Sequence, residues 1–305
     1  MPKGFLITLS SRPRSWYSIK PSKDPGNKLN IMRNIIEVRK INFKNVIALC
    51  ILYNTYNESY YILRKMNNLI LVRHGQSEWN KEKRFTGWAD IDLTKQGQKE
   101  AMHAGKLIKE LKVEFDAYFT SVQKRAINTL NIILNILNKP NAEINKAWEL
   151  NERHYGSFTG LNKDEMIKKH GSKQVHVWRR SFNITPPPMD LSNPYHPSKN
   201  KIYSNIPINK IPDSESLRNT FERVVPYYEK KIKPLIISKK NILIAAHGNS
   251  LRALCKKILN ISKRNIINFE IPTGNPLLII FEKNLEVKKY KYLDSKRAKN
   301  ILFNV

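Results

Sequence analysis

Two histidines far apart in the chain, His74 and His247, stand in the same local setting. Each follows a short apolar run typical of a buried strand, and each is followed directly by a glycine. In open α/β sheets ligands bind beyond the carboxyl ends of the strands, so the two imidazoles could face one site. A single histidine at a strand end is more often structural. Two in the same setting favour a shared catalytic site.

Two arginines could supply positive charge to such a site. Arg73 precedes His74, and Arg125 opens a predicted helix that follows a predicted strand. A neutral imidazole is a competent nucleophile near neutral pH, and guanidinium groups bind phosphate through paired hydrogen bonds. Phosphoryl transfer needs a nucleophile and fixed positive charge around the transferring group. The residue types therefore point to this chemistry, although Arg125 taken alone would be a solvated helix residue.

Strands and helices alternate along the part of the chain that carries these residues. Apolar runs predict strands at residues 69–72, 115–119 and 241–246. Helical spacing predicts one helix capped by Thr94, a second over residues 122–137 and a third that ends at Leu259. This alternation predicts an α/β fold with a mainly parallel sheet and helices on both faces.

Composition narrows the class of protein. The chain has 305 residues, 41% of them hydrophobic and 26% charged, which is typical of a globular protein. A formal net charge of +29 favours anionic partners, either a phosphorylated metabolite or a nucleic acid. No nucleic-acid-binding motif accompanies that charge, so nucleic acid is the weaker alternative. The two cysteines, Cys50 and Cys255, lack the spacing of a zinc site, and no apolar run is long enough to span a membrane.

Two segments differ from the rest of the chain. Residues 1–67 are basic, poor in acidic residues and without a catalytic constellation, so they are predicted to be an extension that is either targeting or disordered. An over-extended gene is the alternative. Residues 181–217 are rich in proline, including Pro186, Pro187 and Pro188, and predict a long loop inserted in a catalytic domain that covers residues 68–305.

Several motifs together resemble those of the cofactor-dependent phosphoglycerate mutases, which belong to the histidine phosphatase superfamily. The opening signature is LVRHGQSEWN at 71–80, followed by FTGW at 85–88. Further matching stretches are TS at 120–121, RA at 125–126, LNERHYG at 150–156, GLNK at 160–163, WRR at 178–180, AHGNS at 246–250 and IPTG at 271–274. The resemblance spans about residues 68–294 and is specific, because chance does not order so many motifs.

The resemblance implies a role for each matching residue. His74 would be the phosphorylated nucleophile and Glu152 the general acid/base. The transferring phosphoryl group would be held by Arg73, Arg125, His247 and the Gly248 backbone N–H. The substrate contacts of the first loop would be Asn80, Thr86 and Gly87. The remaining substrate contacts would be Arg153, His154, Tyr155, Lys163, Arg179, Arg180 and Asn249.

The resemblance also implies a function. The expected reaction is the metal-free interconversion of 3-phosphoglycerate and 2-phosphoglycerate in glycolysis and gluconeogenesis, primed by 2,3-bisphosphoglycerate. A homodimer or homotetramer in the cytoplasm is expected, with an organelle as the alternative that the basic extension raises. The competing enzyme class is a histidine phosphatase that passes the phosphoryl group to water. Arg179, Arg180 and the proline-rich segment favour the mutase. The C-terminal tail typical of the family looks shortened and altered here, so the ratio of mutase to phosphatase activity stays open.

Overall fold

A six-stranded mixed sheet forms the centre of the described chain. The computed structural model describes residues 67–282 and 284–298. Its strands are β1 (Asn67–Arg73), β2 (Ala117–Thr120), β3 (Ile144–Lys146), β4 (Ile242–Ala246), β5 (Leu277–Phe281) and β6 (Val287–Tyr292). Their order across the sheet is β3-β2-β4-β1-β5-β6. The two central neighbours, β1 and β4, are therefore joined by a long crossover.

The strand directions divide the sheet into two parts. The pairs β1–β4, β2–β4 and β2–β3 are parallel. The pairs β1–β5 and β5–β6 are antiparallel. The predicted α/β fold with a mainly parallel sheet is confirmed. The parallel part contains β1 and β4, the two strands that end just before His74 and His247. The antiparallel side was not predicted.

Helices connect these strands and cover the sheet. They are α1 (Glu78–Lys81), α2 (Lys95–Glu110), α3 (Lys124–Ile136), α4 (Lys163–His170), α5 (Ser172–Arg180), α6 (Leu217–Tyr227), α7 (Lys233–Ile237) and α8 (Gly248–Ile258). Thr94 caps α2 as predicted, because its side chain accepts a hydrogen bond from the Gly97 N–H. A wider helical turn, Tyr228–Ile232, joins α6 to α7.

Alternate residues of each strand enter different cores. On β1, Leu69 and Leu71 pack in a core with residues of α6 and α8, whereas Ile70 and Val72 pack in a second core with residues of α2 and α3. Both faces of the sheet are therefore buried, which explains why its central strands are continuous apolar runs rather than alternating ones. The strand ends are the places where polar side chains can gather.

The proline-rich segment packs on the domain with little regular structure. Between α5 and α6 the structure has three single helical turns, at Pro197–Lys199, Lys201–Tyr203 and Ile208–Lys210. Tyr203 is buried in this segment and its hydroxyl donates to the Trp88 carbonyl. The segment is thus anchored to the loop that follows α1.

The basic extension predicted for residues 1–67 lies outside the described residues except for Asn67, and so does Cys50. Cys255 is a buried free thiol in α8. Within the described part of the chain, no helix combines the length and the apolar character needed to cross a membrane.

Candidate active site

The register of β1 and β4 brings the two histidines together. Arg73 and Ala246 are partners at the ends of these parallel strands, and the His74 N–H donates to the Ala246 carbonyl at 2.9 Å. His74 and His247, the next residues, are both buried, with ring centroids 5.0 Å apart. Two imidazoles from distant parts of the sequence thus share one site at the carboxyl ends of the strands.

One hydrogen bond determines which nitrogen of His74 is free. Its Nδ1 lies 2.7 Å from the Gly75 carbonyl oxygen. A carbonyl can only accept, so Nδ1 carries the proton and Nε2 keeps its lone pair. Burial and the positive charges of Arg125 and Arg73 lower the pKa of His74 well below its usual value. The ring is therefore neutral at physiological pH, with a lone pair on Nε2 that can attack an electrophile.

His247 is held by the side chain of Ser121. Its Nε2 lies 2.7 Å from the Ser121 hydroxyl, while its Nδ1 is buried and has no hydrogen-bond partner among the described residues. Burial, with Arg125 and His74 next, lowers the pKa of His247 well below its usual value. Gly248 opens α8, so its N–H has no partner within the helix and can bind an anion.

Two guanidinium groups flank the imidazoles, that of the buried Arg125 and that of the partly buried Arg73. Arg125, in the first turn of α3, donates to the carbonyls of Ala89 and Gly87 at 2.9 and 2.8 Å. Arg73 donates to the Ile271 carbonyl at 3.1 Å. The Nε–H of each arginine is buried without a partner among the described residues. Unpaired buried donors are costly, so these two fit a site whose anionic ligand supplies the acceptor.

Glu152 faces the same space from the segment after β3. Its Oε1 accepts hydrogen bonds from the N–H groups of Arg153 and Asn249, at 2.8 and 3.1 Å. Its Oε2 has no donor among the described residues and lies near Gly248. A carboxylate fixed through one oxygen and open at the other can exchange a proton with a bound hydroxyl.

These groups line one cavity of about 130 Å³. Among the described residues, seven cationic side chains line it, against two carboxylates, Glu152 and Glu270. The cations are Arg73, Arg84, Arg125, Lys163, Arg179, Arg180 and Arg252. Such a cavity suits a small ligand with several negative charges.

Comparison with known proteins agrees with this geometry. The histidine phosphatase superfamily (branch 1) matches residues 69–196. A protein of Pelagibacter ubique named 2,3-bisphosphoglycerate-dependent phosphoglycerate mutase is 53% identical over 237 residues, which cover 78% of this chain and 99% of that protein. A protein of Hyphomonas neptunium with the same name is 51% identical, covering 77% and 98% of the two chains. The chain belongs to the phosphoglycerate mutase family. The resemblance stated from the motifs is confirmed.

Solved structures show the fold of the wider superfamily. A putative alpha-ribazole-5'-P phosphatase from Escherichia coli superposes with a TM-score of 0.56 at 18% identity, covering 75% of this chain and 98% of that one. At that identity the likeness concerns the fold alone.

Most residues that the family resemblance predicted come to the cavity. Those on its lining are Arg73, His74, Asn80, Thr86, Gly87, Arg125, Glu152, Tyr155, Lys163, Arg179, Arg180, Gly248 and Asn249. His247 lies directly behind His74 rather than on the lining. The structure does not bring Arg153 or His154 to the cavity.

Arg153 and His154 bond within the protein instead. The Arg153 guanidinium donates to the carbonyls of Trp178 and Arg179 at 3.0 and 3.1 Å, at the C-terminal end of α5. His154 is buried, and its Nδ1 accepts the Gly156 N–H at 3.0 Å. The family resemblance implied direct substrate contacts for both residues, but these hydrogen bonds turn the two side chains into the domain.

Three charged residues of the lining were missed by the sequence analysis: Arg84, Arg252 and Glu270. Arg252 donates to Asn249 Oδ1 at 2.8 Å, and Asn249 Nδ2 donates to the Tyr155 hydroxyl at 3.1 Å. Helical spacing could have indicated Arg252, because it lies one turn after Asn249. Glu270 pairs with Arg180, and no sequence signal marks that contact.

Within the described residues, no group of three or more His, Cys, Asp or Glu side chains could hold a metal ion. Metal-independence stays a prediction from the family.

Proposed function

We propose that this chain interconverts 3-phosphoglycerate and 2-phosphoglycerate through a phosphohistidine at His74, primed by 2,3-bisphosphoglycerate. The observation that carries the proposal is the neutral His74 imidazole, with Nε2 free, beside two arginines that each keep a buried, unpaired Nε–H. The relatives that are about half identical carry the same activity in their names.

The first half-reaction phosphorylates the enzyme. The lone pair of His74 Nε2 attacks the phosphorus of a bisphosphoglycerate, and the bond from phosphorus to the substrate oxygen breaks. The leaving oxygen takes a proton from the Glu152 carboxyl group, so no free alkoxide forms. Arg73, Arg125 and the Gly248 N–H stabilise the charge on the equatorial phosphoryl oxygens.

The second half-reaction returns the phosphoryl group. A monophosphoglycerate presents its hydroxyl to the phosphohistidine, and the Glu152 carboxylate accepts the hydroxyl proton. The hydroxyl oxygen attacks phosphorus and the bond between phosphorus and Nε2 breaks, which restores neutral His74. When the 2-hydroxyl of 3-phosphoglycerate attacks, bound 2,3-bisphosphoglycerate forms. This intermediate then reorients and gives its 3-phosphoryl group to His74, which leaves 2-phosphoglycerate.

The cations farther from His74 suit the rest of the substrate. Lys163, Arg179 and Arg180 line the cavity together with Tyr155 and Asn249. A phosphoglycerate carries a carboxylate and a second phosphate in addition to the reacting group, and guanidinium groups bind both kinds of anion. This second cluster supports a mutase, which must retain the bisphosphorylated intermediate, over a phosphatase.

Product analysis on one preparation tests this assignment. Incubation with 3-phosphoglycerate should give 2-phosphoglycerate, with a rate that rises when a trace of 2,3-bisphosphoglycerate is added. Release of inorganic phosphate should be the minor outcome. Phosphate as the main product, with no 2-phosphoglycerate, would establish the phosphatase instead.

We also propose a cytoplasmic homo-oligomer without nucleic-acid or membrane partners. Mass measurement in solution tests the assembly, and a reporter fused to residues 1–67 tests the compartment. A monomer would contradict the first proposal, and import of the reporter into an organelle would contradict the second.

A further inference from the structure

A buried ion pair lies behind the cavity and takes no part in the proposed reaction. Arg223 in α6 and Glu215, just before that helix, have side chains that are only 8% and 3% exposed. Their two hydrogen bonds measure 2.7 and 2.9 Å. Removing two charges from water is costly, and pairs of this kind add little net stability. The role of this ion pair is therefore inferred from the backbone groups that the two side chains also bind.

The remaining donors of Arg223 all reach one segment of backbone. Nη1 donates to the carbonyls of Glu149 and Asn151 at 2.6 and 3.0 Å, and Nη2 donates to the carbonyl of Glu152 at 3.0 Å. Together with the two bonds to Glu215, these contacts use all five N–H groups of the guanidinium. The planar group thus fixes the backbone that carries the general acid/base.

Glu215 holds the same segment on its other side. Its Oε2 accepts the His154 N–H at 2.8 Å, and its own N–H donates to the His154 carbonyl at 2.9 Å. The ion pair therefore holds the chain before and after Glu152.

Glu152 has a second anchor that does not depend on the ion pair. Its carbonyl also accepts the indole N–H of Trp88 at 2.7 Å, and its N–H donates to Gln123 Oε1 at 3.1 Å. Both backbone polar groups of Glu152 are thus satisfied. A carboxylate on a backbone held so firmly has its open Oε2 fixed relative to His74.

We infer that Arg223, in its ion pair with Glu215, is a positioning residue that holds the Glu152 carboxyl group where it can protonate the leaving oxygen. The inference rests on the proposed role of Glu152. Arg223 touches neither the nucleophile nor the two arginines at the phosphoryl group, which are carried by other elements. Losing Arg223 should therefore impair proton delivery and leave nucleophilic attack intact.

A pair of phosphoryl donors separates these two steps. The alcohol oxygen of 2,3-bisphosphoglycerate needs a proton to leave, whereas 4-nitrophenyl phosphate releases a stable phenolate without one. We expect Arg223→Met to slow phosphoenzyme formation from 2,3-bisphosphoglycerate by about 100-fold, the usual contribution of general acid catalysis. With 4-nitrophenyl phosphate the rate should stay within about 3-fold of the wild-type rate, since that donor needs no general acid.

Two further variants make the outcome decisive. Trp88→Phe keeps the ring and removes the other donor to the Glu152 carbonyl, so it should show the same selective loss. Arg218→Met is the matched control, because Arg218 lies on the same helix in an exposed pair with Glu222 and should affect neither donor. Should Arg223→Met not fold, Arg223→Lys decides, because lysine keeps the positive charge beside Glu215 but lacks the planar group that reaches the three carbonyls.

Equal loss with both donors, or no loss with either, in Arg223→Met or in the Arg223→Lys variant that replaces it, would overturn the inference. A wild-type protein that forms phosphohistidine from 4-nitrophenyl phosphate but not from 2,3-bisphosphoglycerate would instead refute the proposed function. The two failures are therefore distinguishable.

Discussion

The hydrogen bond from His74 to the Gly75 carbonyl decides how the site can react. By placing the proton on Nδ1, it leaves a lone pair on Nε2, which needs no separate base to act as the proposed nucleophile. Burial and two neighbouring guanidinium groups keep the ring neutral. In the proposed reaction the same guanidinium groups hold the phosphoryl group, so one set of charges would both prevent protonation and bind the substrate.

His154 does not line the cavity, so the effect of burial on a histidine pKa can be measured there without altering the proposed reaction. Burial is the main cause that lowers its pKa from 6.5 to about 3. Between these values the unfolded chain binds a proton that the folded chain does not, so the free energy of unfolding falls as the pH falls below 6.5. For this residue alone we expect a slope that approaches about 1.4 kcal/mol per pH unit, measured by urea unfolding.

Two substitutions test that expectation. His154→Asn keeps an acceptor for the Gly156 N–H and should flatten the pH dependence of stability. His103→Asn is the control, because the side chain of His103 is exposed, and it should keep the wild-type slope. An unchanged slope in the His154 variant would contradict the assignment.

Arg153 connects two parts of the site without touching the cavity. Its guanidinium binds the carbonyls at the end of α5, which carries Arg179 and Arg180. Both bonds come from Nη2, and Arg153→Lys keeps the charge but lacks the planar guanidinium that places this nitrogen between the two carbonyls. We expect the KM for 3-phosphoglycerate to rise by about 10-fold with little change in kcat, as for a loss of binding alone. A fall in kcat at constant KM would show that Arg153 acts on the chemical step instead.

At the scale of elements, the loop after β1 lies unusually close to α2. A Cβ at Gly97 would come within 2.0 Å of the Gln76 carbonyl oxygen, and one at Gly75 within 2.1 Å of the Gly97 oxygen. Only glycine leaves enough room at these two positions, so α2 packs directly against the loop that contains His74.

Gly97→Ala should force these two elements apart. We expect a loss of about 1–3 kcal/mol in the free energy of unfolding, as for an overpacked core, and a lower kcat because the loop at His74 shifts. Gln98→Ala, at the exposed neighbouring position of the same helix, should change neither quantity. Wild-type stability and kcat in the Gly97 variant would contradict the close packing.

The sequence predicts those elements whose structure is determined locally. The apolar run of β1, the Thr94 cap and the helical stripe of α3 each carry their own signal, and all three are present. The edge strand β3 has only three residues, and β6 is largely exposed and rich in lysine, so neither shows the pattern of a buried strand. Their pairing depends on neighbours that the local sequence does not reveal.

The residues of the site also fall into those that the local sequence predicts and those that depend on distant neighbours. The motifs predicted most of the residues that line the cavity, because a binding site constrains residue type and spacing together. Arg223, Arg252 and Glu270 were not predicted, since their roles arise from contacts between distant elements. Arg153 and His154 were expected at the substrate, but the direction of a side chain is set by backbone geometry that spacing alone does not give.

At the scale of the whole molecule, the chain has a large net positive charge, and positively charged side chains also cluster at the cavity. The formal charge is +29, and the cavity concentrates seven cations among the described residues. Opposite charge accelerates the encounter with an anionic substrate, and salt screens that attraction. We expect kcat/KM for 3-phosphoglycerate to fall as ionic strength rises, while kcat stays nearly constant. Steady-state kinetics at several salt concentrations test this, and a kcat/KM independent of salt would contradict steering by charge.

The proposed reaction depends on phosphorylation of His74. That step would use His74 and His247 together, which follow the strands β1 and β4 at the centre of the sheet. Brief incubation with labelled 2,3-bisphosphoglycerate, followed by peptide mapping, measures it directly. We predict one acid-labile, base-stable label on the peptide that contains His74, and none in the His74→Ala variant. Absence of label from the wild-type protein, or normal turnover by His74→Ala, would contradict the account.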